Sequence, residues 1–409
     1  NILNVNEYKP VYGDVNIVAG NGNTVESYVE LITASLGVSG QGSVALAEVG
    51  QRDASGKVVG GQAKINISGT GNKFVGDNVS LLSENQAKAK ANLEASGGTL
   101  GLSIGVSKAE AKLQGGTAVE IASGQTFVAN DVNFASTGAS LKNENDNNAE
   151  ASITGGSGSA VIITVNNANA IANTESILNV GSEKYQTGIW QEASSESHEK
   201  QNVAQAKEQA TDQNTENKEI PTETILTAGR ASVKDGGSNV NMLLGSVVST
   251  RAEAKGLAVG AIASGTNKAY TTNTSKTILN FNPVTFEAES LRIAMGNVDK
   301  SNTLANGNGG GIVGISPVAA RAEHNNDSEV TLNIGNDQTQ TEFNLEKDFY
   351  LGVANVVEEE INSNAIQAAI AGGSGVEAAS TNISNANLNL TNTTINAKGE
   401  VALDAENYL

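Results

Sequence analysis

The chain has 409 residues, no cysteine, 45 glycines, four prolines and aromatics at only 4%. A net charge of −19 and a pI near 4.6 exclude a nucleic-acid binder or a binder of anionic membranes, both of which need basic surface. The missing thiols exclude a disulfide framework and cysteine chemistry, and so few rings exclude a compact core anchored on aromatics; Val, Ile, Leu and Ala must fill thin layers instead.

From the amino end, an apolar doublet on alternating positions keeps returning. It reads Val15-x-Ile17, Val79-x-Leu81, Val132-x-Phe134, Val240-x-Met242, Leu291-x-Ile293, Leu351-x-Val353 and Val401-x-Leu403. The steps are 64, 53, 108, 51, 60 and 50 residues, and the long one is about two units. A second apolar set follows each doublet: Ile65-x-Ile67, Val119-x-Ile121, Ile177 to Val180, Ile278 to Phe281, Val330 to Ile334 and Leu388-x-Leu390. Alternation at period two marks half-buried strands, and a fixed long period marks units that bury their faces against their neighbours.

Within a unit, runs such as Ala87-Lys88-Ala89-Lys90-Ala91 and Ala149-Glu150-Ala151 precede glycine-rich segments at Gly97-Gly98 and Gly155 to Gly158. Alanine is a good helix former, but charges alternating with it at period two favour strand. The glycines are expected to form tight corners, as are those of Gly256, Asn306 to Gly311 and Gly372-Gly373. Asparagine and threonine are placed to ladder from one layer to the next. The predicted fold is all-β: a parallel β-solenoid of about seven repeats of fifty-odd residues. Each repeat is either one wide coil or two stacked coils.

The long step contains a polar stretch, and the expected organisation is 1–181 repeats, 182–236 insertion and 237–409 repeats. The insertion reads as partly helical or disordered, with Glu196 and Lys200 at i,i+4. It holds the only tryptophan, Trp190, and one of two histidines, His198. It is an exposed loop, a receptor-binding outgrowth or a linker. If it binds, Trp190, His198, Glu199 and Lys200 are the candidate residues.

Other chemistry is thin. No catalytic, cofactor-binding or metal-binding residue stands out. His324, in Glu323-His324-Asn325-Asn326-Asp327, reads as a solvated turn, and Glu358-Glu359-Glu360 as a solvated acidic face. Asn306 to Gly311 lacks the lysine of a phosphate loop. No stretch is apolar enough to insert into a bilayer. The sequence opens and closes inside strand-like segments without a signal peptide, so it reads as an internal piece of a longer chain.

Glycine-rich corners such as Gly155-Gly156-Ser157-Gly158-Ser159, runs such as Ala168-Asn169-Ala170-Ile171-Ala172-Asn173-Thr174, and the Val-x-Leu doublets together resemble the filamentous-haemagglutinin-like exoproteins of Gram-negative bacteria, closest in character to the fusobacterial leukotoxin family. The resemblance is one of composition and period, over nearly all the chain outside the insertion. It implies a right-handed parallel β-helix, secreted or displayed at the bacterial surface through an outer-membrane partner engaged by other parts of the parent chain. It implies an adhesin or toxin that meets a host-cell receptor or glycan. The alternatives are a structural spacer of such a protein and a polysaccharide-active β-helix enzyme, the latter requiring an acidic cleft with a basic partner.

Overall fold

A computed structural model describes residues 13–54, 58–69, 71–76, 78–122, 125–129, 131–137, 147–181, 223–227, 230–233, 239–283, 285–313, 318–338 and 340–408. Regular structure among these residues is strand alone, in 21 segments, and most of it lies in one twelve-stranded and one seven-stranded sheet.

Pairing in the large sheet is parallel and follows the order of the chain. Val15 lies beside Val79, which lies beside Val132, and the row continues through Val240, Leu291, Phe349 and Val401. No strand intervenes between successive members, so each repeat of the apolar doublet adds one layer. A second row runs Ile67, Ile121, Val180, Phe281, Ile334 and Leu390. Both rows were visible as apolar sets, with one correction. The sixth doublet is Phe349-x-Leu351 rather than Leu351-x-Val353, because Phe349 is the residue beside Leu291. A slip of two keeps every side chain on the same face, so alternation alone does not fix it.

Strands such as Asn78–Ile121, at 44 residues, are too long to run straight; at about 3.3 Å per residue one would span roughly 145 Å. They double back on themselves. Ser83 Oγ donates to the Ala63 carbonyl at 2.8 Å, and Ala63 sits beside Thr117 on the far arm of the same long strand. Thr277 Oγ1 likewise reaches Asn297 Oδ1 at 2.5 Å, although Asn297 belongs to the outgoing arm of the next layer. Each layer is therefore an outgoing arm and a returning arm facing each other across a thin interior.

The interior tapers, and residue size follows the taper. At the wide end Val, Leu, Ile, Met and Phe form one cluster. It is closed by short strands of the second sheet, among them Gln125–Val128, Thr285–Ala288 and Thr341–Leu345. Next comes a belt of buried Ser, Thr and Asn, including Ser83, Asn85, Thr117, Ser136, Ser176 and Thr277. Beyond it the core is almost all alanine, from Ala87, Ala89 and Ala91 to Ala320 and Ala322. At the narrow end there is no room even for a methyl group: a Cβ on Gly256 would lie 2.2 Å from Asn267 Oδ1.

Two sequence expectations change here. Gly97-Gly98, Gly155 to Gly158, Gly256 and Gly307 to Gly310 lie in paired strand rather than turns, whereas Gly311 sits at a break in the pairing with the preceding layer and Gly372-Gly373 fall between strands, as expected of corners. The paired glycines mark the narrow edge where the arms converge; small size is required at Gly97, Gly155 and Gly256, where a Cβ would be crowded, whereas Gly156 faces open space. Aromatics, though few, are concentrated: six of the seven phenylalanines (127, 134, 281, 286, 343 and 349) are fully buried at the wide end. Phe74, half-buried, stacks on Phe127 at 5.1 Å.

In-register stacking sets like side chains on like, which satisfies amides pairwise. On the outer face Asn280 donates to Asn179 at 2.7 Å, Asn333 to Asn280 at 3.0 Å and Asn389 to Asn333 at 2.9 Å.

Within 182–236, Glu223–Thr227 and Arg230–Val233 are strands, paired antiparallel to each other, and the first also pairs antiparallel with Gln125–Val128. This end of the segment thus contributes to the second sheet. The rest of it, including Trp190, His198, Glu199 and Lys200, lies outside the described residues.

Candidate functional site

The outward side chains of the outgoing arms form rows along the stack. One row reads Asp14, Asn78, Asp131, Asn239, Ser290, and the next reads Asn16, Ser80, Asn133, Asn241, Arg292, Tyr350. Between these rows, near Asn239 and Arg292, a cleft of about 590 Å³ opens; Asp131, Asn241, Asp348, Tyr350 and Glu400 also line it.

Its polar wall is preorganised. Asn239 Nδ2 donates to Asp131 Oδ1 at 3.0 Å, and Ser290 Oγ donates to Asn239 Oδ1 at 2.7 Å. Asn241 Nδ2 donates to Asn133 Oδ1 at 3.0 Å. The backbone N–H of Glu400 donates to Asp348 Oδ1 at 2.9 Å and fixes that carboxylate. The Arg292 guanidinium lies 5.4 Å from the centre of the Tyr350 ring, a cation–π distance. The ring in turn lies over Gly352, where a Cβ would come within 2.6 Å of the Tyr350 hydroxyl. Among the described residues Arg292 makes no ion pair, and its side chain lines the cleft. Fixed amides and carboxylates beside one unpaired guanidinium and a ring suit a ligand rich in hydroxyl groups.

A second constellation is internal, and sequence reasoning misplaced it. His324 is fully buried, in the strand Val318–Ile334, not in a solvated turn. Its Nδ1 lies 2.7 Å from Thr271 Oγ1, which lies 2.5 Å from Thr303 Oγ1. Its Nε2 lies 3.5 Å from Glu359 Oε1. Glu359, at the centre of an acidic run whose three residues are exposed, accepts from Ser380 Oγ, and its side chain is 19% exposed. Burial pulls the His324 pKa below its ordinary value, against the opposing pull of Glu359. Asp299 is buried in the same belt, with Ser275 Oγ donating to its Oδ2 at 2.6 Å.

Hydroxyl, imidazole and carboxylate in sequence are the parts of a nucleophilic triad. Here Thr271 and His324 are both 0% exposed. A substrate carbonyl has no path to the hydroxyl, and the group ties successive layers together. The signal for it was parity: His324 alternates in phase with the buried Ala320 and Ala322.

No cluster of three or more His, Cys, Asp or Glu side chains able to hold a metal ion occurs among the described residues. No helix among them is long and apolar enough to cross a membrane. No family model, curated protein or solved structure matches the chain.

Proposed function

We propose that this chain is a parallel β-solenoid of one wide coil per repeat, a rod-like part of a large secreted or surface-exposed bacterial exoprotein that contacts host cells. The observation that supports this reading is the unbroken, chain-ordered register from Val15 to Val401, which builds a body by addition of layers around no central pocket. Such a body acts by presenting its sides, and the reading gives it a binding role, not a bond-making one. The cleft at Arg292 and Tyr350 supplies the contact, with a cell-surface glycan as ligand and many shallow contacts along the rod adding avidity.

The test is binding of the fluorescently labelled chain to leukocytes and epithelial cells, before and after enzymatic removal of surface glycans. Saturable binding is expected, falling at least tenfold on glycan removal and in the Arg292→Ala/Asn241→Ala variant. Absence of saturable binding would make the segment a spacer. Binding that ignores the double variant but disappears on deletion of 191–219 would move the contact to the polar segment.

A further inference from the structure

The returning arms carry an apolar face that the contact role does not use. Beginning at the narrow edge, outward residues align from layer to layer as Val38, Leu102, Val161, Ile262 and Val313. Two residues on, the row is Gly40, Ile104, Ile163 and Ser264, and the next is Gly42, Val106, Val165 and Thr266. The edge itself is crowned by Leu36, Leu100 and Ile312, which are 86%, 76% and 60% exposed. In a chain of net charge −19 this zone holds no charged residue at all: none occurs in 95–107, 151–174 or 256–267.

Where charge resumes, it is balanced. Lys108 pairs with Glu110, whose carboxylate Lys112 also holds, and Arg321 pairs with Glu323 at 2.9 Å. The apolar face therefore has a nearly neutral rim.

We propose that this face is a self-association surface, on which a second copy of the chain packs sheet against sheet to give a closed two-fold dimer. Three features select that occupant. Two strongly acidic copies can approach without opposing like charges only through an uncharged patch, and an isologous contact sets the patch against itself. In-register rows rich in Val, Ile and Leu can interdigitate with a matching sheet about 10 Å away. An anionic lipid surface would require a net cationic rim to hold this acidic body, whereas the rim charges of Lys108, Lys112, Lys268 and Arg321 are nearly cancelled by Glu110, Glu323 and Glu377. The sixteen positions of these rows cover roughly 500 Å² per copy, taking two residues as about 6.6 Å and a layer as about 4.8 Å. The total of about 1,000 Å² is at the threshold for a specific interface, so the dimer is weak and reversible.

The proposal rests on the register, exposure and charge of this face and stands or falls apart from the cell-contact reading. Sedimentation velocity of the whole chain from about 1 to 100 µM is the test, with Ile104→Ser/Ile163→Ser beside it and circular dichroism to confirm that both are folded. Both positions point outward, so the serines leave the core unchanged; Val106→Thr is the milder second variant. The expected result is a monomer–dimer equilibrium for the parent chain and at least a tenfold weaker one for the double variant. A parent chain monomeric at every concentration would overturn the proposal. So would a dimer indifferent to both variants, an open series of polymers, which would indicate end-to-end pairing of exposed strand edges, or a monomer that co-sediments with neutral phosphatidylcholine vesicles.

Discussion

Phe343→Ala is expected to lower the stability of its layers by about 3–5 kcal/mol, the usual cost of removing a large buried ring. Phe343 is fully buried, and the rings of Phe281, Phe286 and Phe349 lie 6.0, 5.6 and 5.1 Å from it. It is thus the hub through which a short strand of the second sheet is fastened to both arms. Alanine leaves a cavity at the wide end, where the arms are farthest apart and least able to close over it. Because each layer touches only its neighbours, the loss should be local. Urea denaturation followed by limited proteolysis checks this: the midpoint should fall, and the first cuts should appear between about residues 285 and 351. Phe74→Ala, at a half-buried ring with Phe127 as its stacking partner, should cost less than half as much. Equal, small effects from the two substitutions would contradict the tapered-core description.

Asp299→Asn is expected to stabilise the protein above pH 6 by up to about 3 kcal/mol and to change nothing near pH 4. Burial pushes the Asp299 carboxyl from 3.8 up to about 6, although hydrogen bonds from Ser275 and Ser328 pull it the other way. A carboxyl with a raised pKa holds its proton more tightly in the folded state. Between about pH 4 and 6 the native chain therefore binds more protons than the unfolded one, and stability falls as pH rises through that window. Above it the penalty of an ionised, buried carboxylate is fully present. Asparagine keeps an oxygen to accept from Ser275 without the charge. His324 acts in the opposite direction: with its pKa lowered by burial, it removes stability as pH falls below its ordinary 6.5. The difference between parent and Asp299→Asn isolates the first effect. Urea midpoints measured from pH 4 to 8 should diverge through pH 4–6 and run parallel above it; parallel curves throughout would contradict the assignment.

The repeat was legible because parallel stacking demands it. A strand whose two neighbours are the corresponding strands of its own chain has to repeat its alternation, so Val79-x-Leu81 and Val132-x-Phe134 were found from spacing alone. Strand could be preferred to helix for Ala87 to Ala91 because charges alternated with the alanines. What escaped was whatever alternation leaves undetermined. It has no means of distinguishing Phe349 from Leu351 as the start of a layer. It does not say that Asn306 to Gly311 is paired strand, because glycine serves a corner and a crowded interior equally well. His324 was misread because polar neighbours suggest solvent, whereas the belt between the apolar and alanine zones is itself polar and buried. The cleft at Arg292 and Tyr350 was missed altogether. Its residues come from different repeats, and only the register brings Asp131, Asn239 and Arg292 side by side.

The most direct test of the chain-ordered stack uses its lack of cysteine. Pairs of cysteines placed in the outward row of Asn16, Ser80, Arg292 and Ala402 can be spin-labelled cleanly, and the label distances measured by pulsed electron resonance. At about 4.8 Å per layer, Asn16–Arg292 should give about 19 Å, Ser80–Ala402 about 24 Å and Asn16–Ala402 about 29 Å. Distances that rise in that order by one layer spacing at a time are the expected result. An Asn16–Ala402 distance shorter than that of Asn16–Arg292, or one spread beyond about 50 Å, would contradict the stack.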